Sequence, residues 1–162
     1  MDRPNVWRAM VAGLIATAVM TMMMYGAPMM GMPKMDIAAM LGSMLGGGMP
    51  GPMSGAWWVG MLIHFVNGTI IFPLIYAYGL YPVLPGAPWA KGAIWGVVLW
   101  VLAQAMAMPM MGMGFFSAQA PLPLMGVMGS LIGHLVYGAI LGGIAGRGRR
   151  AVTAEHAVRR AA

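Results

Sequence analysis

The sequence predicts an all-α membrane protein with four transmembrane helices, arranged as two parallel helical-hairpin repeats. A short amphipathic helix lies between helices one and two. Three observations carry this. Apolar residues make up 60% of the chain and charged residues only 7%, with a mean hydropathy of +0.79. A soluble domain needs about a quarter of its residues charged to coat its surface, so lipid must be the solvent here. Second, crossing a hydrocarbon core of about 30 Å takes about 20 apolar residues, and four such runs use most of the 162 residues. Third, Pro-Met-Met-Gly-Met occurs twice, at 28–32 and 109–113. Each copy follows an apolar run opened by a tryptophan and a base (Trp7-Arg8; Trp89-Ala90-Lys91), and each precedes a second run with a His-x-x-x-Gly core.

The polar leader 1–8 carries Asp2, Arg3 and Arg8, and helix one is expected over about 9–26 without a charge. A cleaved signal peptide would also place bases before an apolar stretch. The length of the run speaks against it, as does its second copy at 92–108, which cannot be a signal. Pro28 and Gly31 then break the helix. In 34–45, Asp36 is a good N-cap, and Ile37, Met40, Leu41, Met44 and Leu45 share one helical face. That stretch is too short to span. It reads as an amphipathic helix in the membrane interface, and equally as a buried cap over the bundle mouth. Gly46, Gly47 and Gly48 end it.

Helix two is expected over about 56–78, with Trp57 and Trp58 at one end and Tyr76, Tyr78 and Tyr81 at the other, as in an aromatic belt. A tight loop over 81–88 holds three prolines. Helix three follows over about 90–108, a connection with Phe115 and Phe116 over 114–123, and helix four over about 124–146. The organisation is one bundle over 1–146 (repeat one 9–80, repeat two 89–146) with a basic tail over 147–162.

Orientation follows from charge. Arg3, Arg8, Lys91, Arg147, Arg149, Arg150, Arg159 and Arg160 fall on one side of four spans, and Lys34 alone on the other. By the positive-inside rule a protein of the cytoplasmic (inner) membrane is expected, with both termini in the cytoplasm. The net charge of +6 is therefore a topology signal, and no aromatic-interleaved basic surface exists to track nucleic acid. Two spans per repeat make the copies parallel, related by an axis along the membrane normal. The inverted repeats of many alternating-access transporters need an odd number.

Chemistry has few residues to work with. Absence of cysteine removes disulfides, thiolate metal sites and a cysteine nucleophile. Asp2, Asp36 and Glu155 all lie outside the spans, so no carboxylate pair, Ser-His-Asp set or phosphate cradle can be assembled, and no enzyme is expected. Small residues recur every fourth position: Ala56, Gly60, His64 and Gly68 in helix two, and Gly126, Ser130, His134, Gly138, Gly142 and Gly146 in helix four. Such stripes let helices pack closely. His64 and His134 sit mid-stripe at corresponding positions, each with a polar neighbour at i+3, Asn67 and Tyr137. A polar-ring packing role is the first expectation, and ligation of haem b or copper by the pair is the alternative. Of the 22 methionines, Met29, Met30, Met110 and Met111 are copper candidates because thioethers suit Cu(I). As unbranched apolar fillers they need no such role. Gln104 is placed to reach a histidine or to join two helices, and Thr17 and Thr21 to bond their own helix backbone.

The chain resembles a family of small bacterial membrane proteins catalogued as a domain of unknown function. The resemblance rests on 35–42 (Met-Asp-Ile-Ala-Ala-Met-Leu-Gly), His64-Phe65 with Gly68-Thr69, 91–96 (Lys-Gly-Ala-Ile-Trp-Gly), Met108-Pro109 with Gly112 and Gly114-Phe115-Phe116, and 134–142 beginning His-Leu-Val-Tyr-Gly. It covers roughly 10–146 and implies four transmembrane helices, with no activity, cofactor or catalytic residue attached. The expected function is that of an accessory or interaction protein, such as a small subunit of a larger membrane complex. Its partners would be the bilayer and other membrane subunits or itself. A haem- or copper-binding protein using His64 and His134 is the rival, and a small transporter or pore the third reading.

Overall fold

The computed structural model describes residues 4–46 and 48–146. The basic tail over 147–162, and with it most of the bases counted for orientation, lies outside the described residues, as do Asp2 and Arg3. Among the described residues four helices are long and apolar enough to cross a membrane: α1 (Val6–Met30), α3 (Gly55–Leu80), α4 (Pro88–Met110) and α5 (Pro123–Ala145). Between the first two lies α2 (Ile37–Gly42).

Local chemistry sets the ends. Asn5, Asp36 and Ser54 accept the amides of Arg8, Ala39 and Trp57, satisfying free N–H groups at the starts of α1, α2 and α3. Pro88 and Pro123 stand at the first positions of α4 and α5, where a missing N–H does no harm. The two Pro-Met-Met-Gly-Met copies close α1 and α4 with one turn used twice. Gly31 (φ 77°) and Gly112 (φ 75°) take the left-handed conformation. Their amides donate to Pro28 and Pro109 at 3.1 and 3.0 Å, and those of Met32 and Met113 donate five residues back, to Ala27 and Met108, at 3.2 and 2.9 Å. This is the helix-terminating pattern that glycine favours.

Three π-turns interrupt the spans, over Asn67–Ile71, Tyr76–Leu80 and Ala103–Ala107. Each has the same cause. The amides of Phe72, Tyr81 and Met108 donate five residues back, to Asn67, Tyr76 and Ala103, and each of these residues precedes a proline (Pro73, Pro82, Pro109). A proline ring would collide with the carbonyl four residues back, and widening the turn relieves the collision.

The bundle is closed at one end and open at the other. At the closed end Ala9, Ala12 and Ala16 of α1 pack with Tyr76, Ala77, Tyr81, Trp95, Tyr137, Leu141 and Ala145 in one buried cluster. There α4 and α5 touch backbone to backbone. A Cβ on Gly92 would collide with the Gly138 carbonyl and lie 2.8 Å from the Gly142 Cα, so only glycine allows the approach. At the other end, α3 turns from the bundle to α2. Ala38 lies against Gly60, and Gly42 against Ala56, so α2 runs antiparallel along the first turns of α3. The opposite side of α2 meets the end of α4, where Met40 packs with Met108 and Met111. The short helix thus closes the gap between α3 and α4.

Candidate functional site

The divergence of α3 leaves a cavity of about 1010 Å³ in the open half. All four long helices and α2 line it. Among the described residues no charged side chain borders it, and 12 of the 34 that line it are methionine. Both Pro-Met-Met-Gly-Met turns reach it, through Met30, Met32, Met110 and Met111. Its polar lining is confined to the deep end, next to the closed core: Thr17, His64, Asn67, Ser130, His134 and Tyr137.

The predicted site residues divide accordingly. His64, Asn67, Ser130, His134 and Tyr137 come together, and Met30, Met110 and Met111 join them along the wall. Met29 does not; it is 91% exposed and lines no part of the cavity. Gly60, Gly138 and Gly142 serve close helix contacts, as does Gly68, whose neighbour is Thr17. Gln104 reaches no histidine. It is fully buried outside the cavity, and its Oε1 accepts from Ser117 Oγ at 2.9 Å. A turn with left-handed Phe116 and Ser117 carries that serine inward, and neither residue signals such a turn in sequence.

Hydrogen bonds fix both imidazoles. His134 Nδ1 lies 2.8 Å from the Ser130 carbonyl, which can only accept, so the proton is on Nδ1 and the lone pair on Nε2. Thr21 Oγ1 donates to the Thr17 carbonyl at 2.7 Å. With its one proton used there, it accepts from His64 Nε2–H at 2.9 Å, leaving the lone pair of His64 on Nδ1. No described residue hydrogen-bonds His64 Nδ1 or His134 Nε2. Thr21 was the residue sequence reading missed. Its i−4 backbone bond was expected, but its partner on another helix, 43 residues away, was not.

Tyr137 has a separate task. Phe72 N–H donates to Asn67 and Pro73 has no N–H, so the α3 backbone gives the Gly68 carbonyl no donor. Tyr137 Oη–H supplies one at 2.7 Å. At the cavity rim, Asp36 clasps α2 in place. It accepts Tyr25 Oη–H at 2.7 Å and the Trp57 indole N–H at 3.0 and 3.2 Å. Burial works to raise its pKa, but the Tyr25, Ala39 and Trp57 hydrogen bonds, with the nearby Lys34 charge, outweigh burial and hold it below the usual carboxylate value. Among the described residues, no three His, Cys, Asp or Glu side chains converge as a metal cluster. Any ligand set here must combine the two imidazoles with other donors.

No curated protein and no solved structure matches the chain. The model of DUF6789, a family of unknown function, matches residues 4–156. The chain therefore belongs to the DUF6789 family.

Proposed function

We propose that this is a non-enzymatic accessory protein of the bacterial inner membrane, and that its working part is the methionine-lined cavity, which holds a small ligand. One observation carries the reading. Close packing is the norm in protein interiors, yet here helices that pack closely at one end leave a partly open cavity of about 1010 Å³ at the other. That space is at the top of the range for small-molecule sites, which are mostly apolar with a few convergent polar groups. A histidine pair serving packing alone would need no such space. A lining that, among the described residues, carries no carboxylate or other charge favours holding a ligand over transforming it. Supply of that ligand to a larger membrane assembly is the accessory role that fits.

The test is a melting series on the purified chain in detergent, with Cu(I), haem and a short-chain quinone as probes. A ligand at 100 times its Kd stabilises by about 2.7 kcal/mol, a rise in Tm on the order of 5 °C. The stabilising probe should lose its effect in Gly129→Phe, whose new ring would enter the cavity past the flexible end of Met32, 3.2 Å from an added Cβ. Failure of all three probes to move the wild-type Tm would refute the reading.

A further inference from the structure

We infer that the deep end of the cavity is a site for a soft monovalent metal ion, Cu(I), bound by His64 Nδ1, His134 Nε2 and thioether sulfur, with Met20 as the first sulfur candidate. The inference rests on the ligand-holding reading above and names its ligand class.

Four observations converge on it. Metal-binding histidines characteristically donate their second ring N–H to a carbonyl or another fixed acceptor, which sets the tautomer and aims the lone pair. Both histidines here are so held, His134 by the Ser130 carbonyl and His64 by the Thr21 hydroxyl. The two remaining nitrogens are unprotonated, make no hydrogen bond, and belong to residues lining one cavity. Two acceptors left without a protein partner on residues of one largely apolar cavity suit a ligand that takes lone pairs from both.

The donor set then selects the ion. Among the described residues every donor in the lining is neutral, with no carboxylate to balance charge, and the chain has no cysteine. A divalent ion would bring two uncompensated charges into an apolar interior, whereas Cu(I) brings one and prefers thioether and imidazole over oxygen. Sulfur lines the same cavity. Met20 is 9% exposed, and its Cε lies 3.4 Å from where a Cβ on Gly133, the residue before His134, would stand. Met24, Met30, Met106, Met110 and Met111 line the same cavity, thioethers that a bound ion can exchange for one another.

The experiment is an anaerobic Cu(I) titration of the full chain in detergent against a chromogenic Cu(I) chelator, repeated with Ag(I), which is stable in air. We expect one tight ion per chain. His64→Ala and His134→Ala should each remove it. Thr21→Val removes the fixing hydrogen bond, together with the hydroxyl's bond to the Thr17 carbonyl, and should weaken binding by about 10-fold with the fold intact by circular dichroism. Met20→Leu, which keeps volume and apolar character, should weaken it measurably, whereas Met29→Leu, outside the cavity, should not. X-ray absorption should show mixed nitrogen and sulfur neighbours. Tight binding unchanged in Thr21→Val and Met20→Leu would overturn this site. If neither ion binds while haem or the quinone raises Tm and Gly129→Phe abolishes the rise, the metal inference fails and the cavity reading stands. If no probe binds, both fail.

Discussion

Tyr137 shows how one side chain can stand in for a backbone donor. Its hydroxyl occupies the Gly68 carbonyl, which Pro73 leaves unpaired. In hydrocarbon no water can take over that role. Tyr137→Phe should therefore lower stability by about 1–3 kcal/mol, the usual effect of stranding a buried acceptor, as read by denaturant or thermal unfolding in micelles. In a Pro73→Ala background the helix can supply its own N–H, so the same substitution should become nearly neutral. Equal losses in both backgrounds would contradict this account of the bond. Tyr137 was legible as a polar interior residue from its place three positions after His134. Its partner was not, because it depends on a wide turn 69 residues away in the chain. The signal was nonetheless present: Gly68, Ala77 and Gln104 each stand five residues before a proline.

Among the elements, α2 depends most on a single residue. Asp36 caps it and ties it to α1 and α3 through Tyr25 and Trp57. A carboxyl whose folded pKa is depressed contributes stability that is present above its unfolded pKa and lost as pH falls through the folded value. The hold on α2 should thus persist through the ordinary carboxylate range and weaken only below 3.8. Asp2 and Asp36 are the only aspartates, so selective 13Cγ labelling gives two signals. The Asp36 signal should titrate below 3.8 and move up in Tyr25→Phe, while a midpoint above 3.8 in the native protein would argue against the clasp. Sequence periodicity found α2 and its cap, but left it lying in the interface or covering the bundle. The close seats of Ala38 on Gly60 and Gly42 on Ala56 fix it along α3, a contact that small-residue spacing predicts for some helix without saying which.

For the whole molecule, four spans were readable because composition and run length in lipid leave few alternatives. The cavity was not, since it arises where α3 departs from its neighbours, and hydropathy is blind to which helix faces which. The positive-inside argument remains a prediction with a clean test, because the chain has no native cysteine. Single cysteines at Met49 and Ala118, both exposed near the open end, should react with an impermeant thiol reagent on intact cells. Val83→Cys, in the loop at the closed end and 68% exposed in the native residue, should react only after permeabilisation. The reverse pattern would invert the proposed topology. The parallel-repeat reading is likewise a prediction: residues 10–78 without 33–55 should superpose on 92–146 about the bundle axis in an experimental structure.

The π-turn at Asn67–Ile71 also alters angular phase. At 3.6 residues per turn each residue advances about 100°, so Tyr76, twelve positions after His64, would point roughly 120° away from it on an uninterrupted helix. A π-turn absorbs one extra residue. Eleven effective steps leave the two side chains within roughly 20° of each other. One helix can then show His64 to the cavity and, further along the same face, bury Tyr76 completely in the core. Pro73 therefore sets the azimuth of the closed half of α3 relative to the open half.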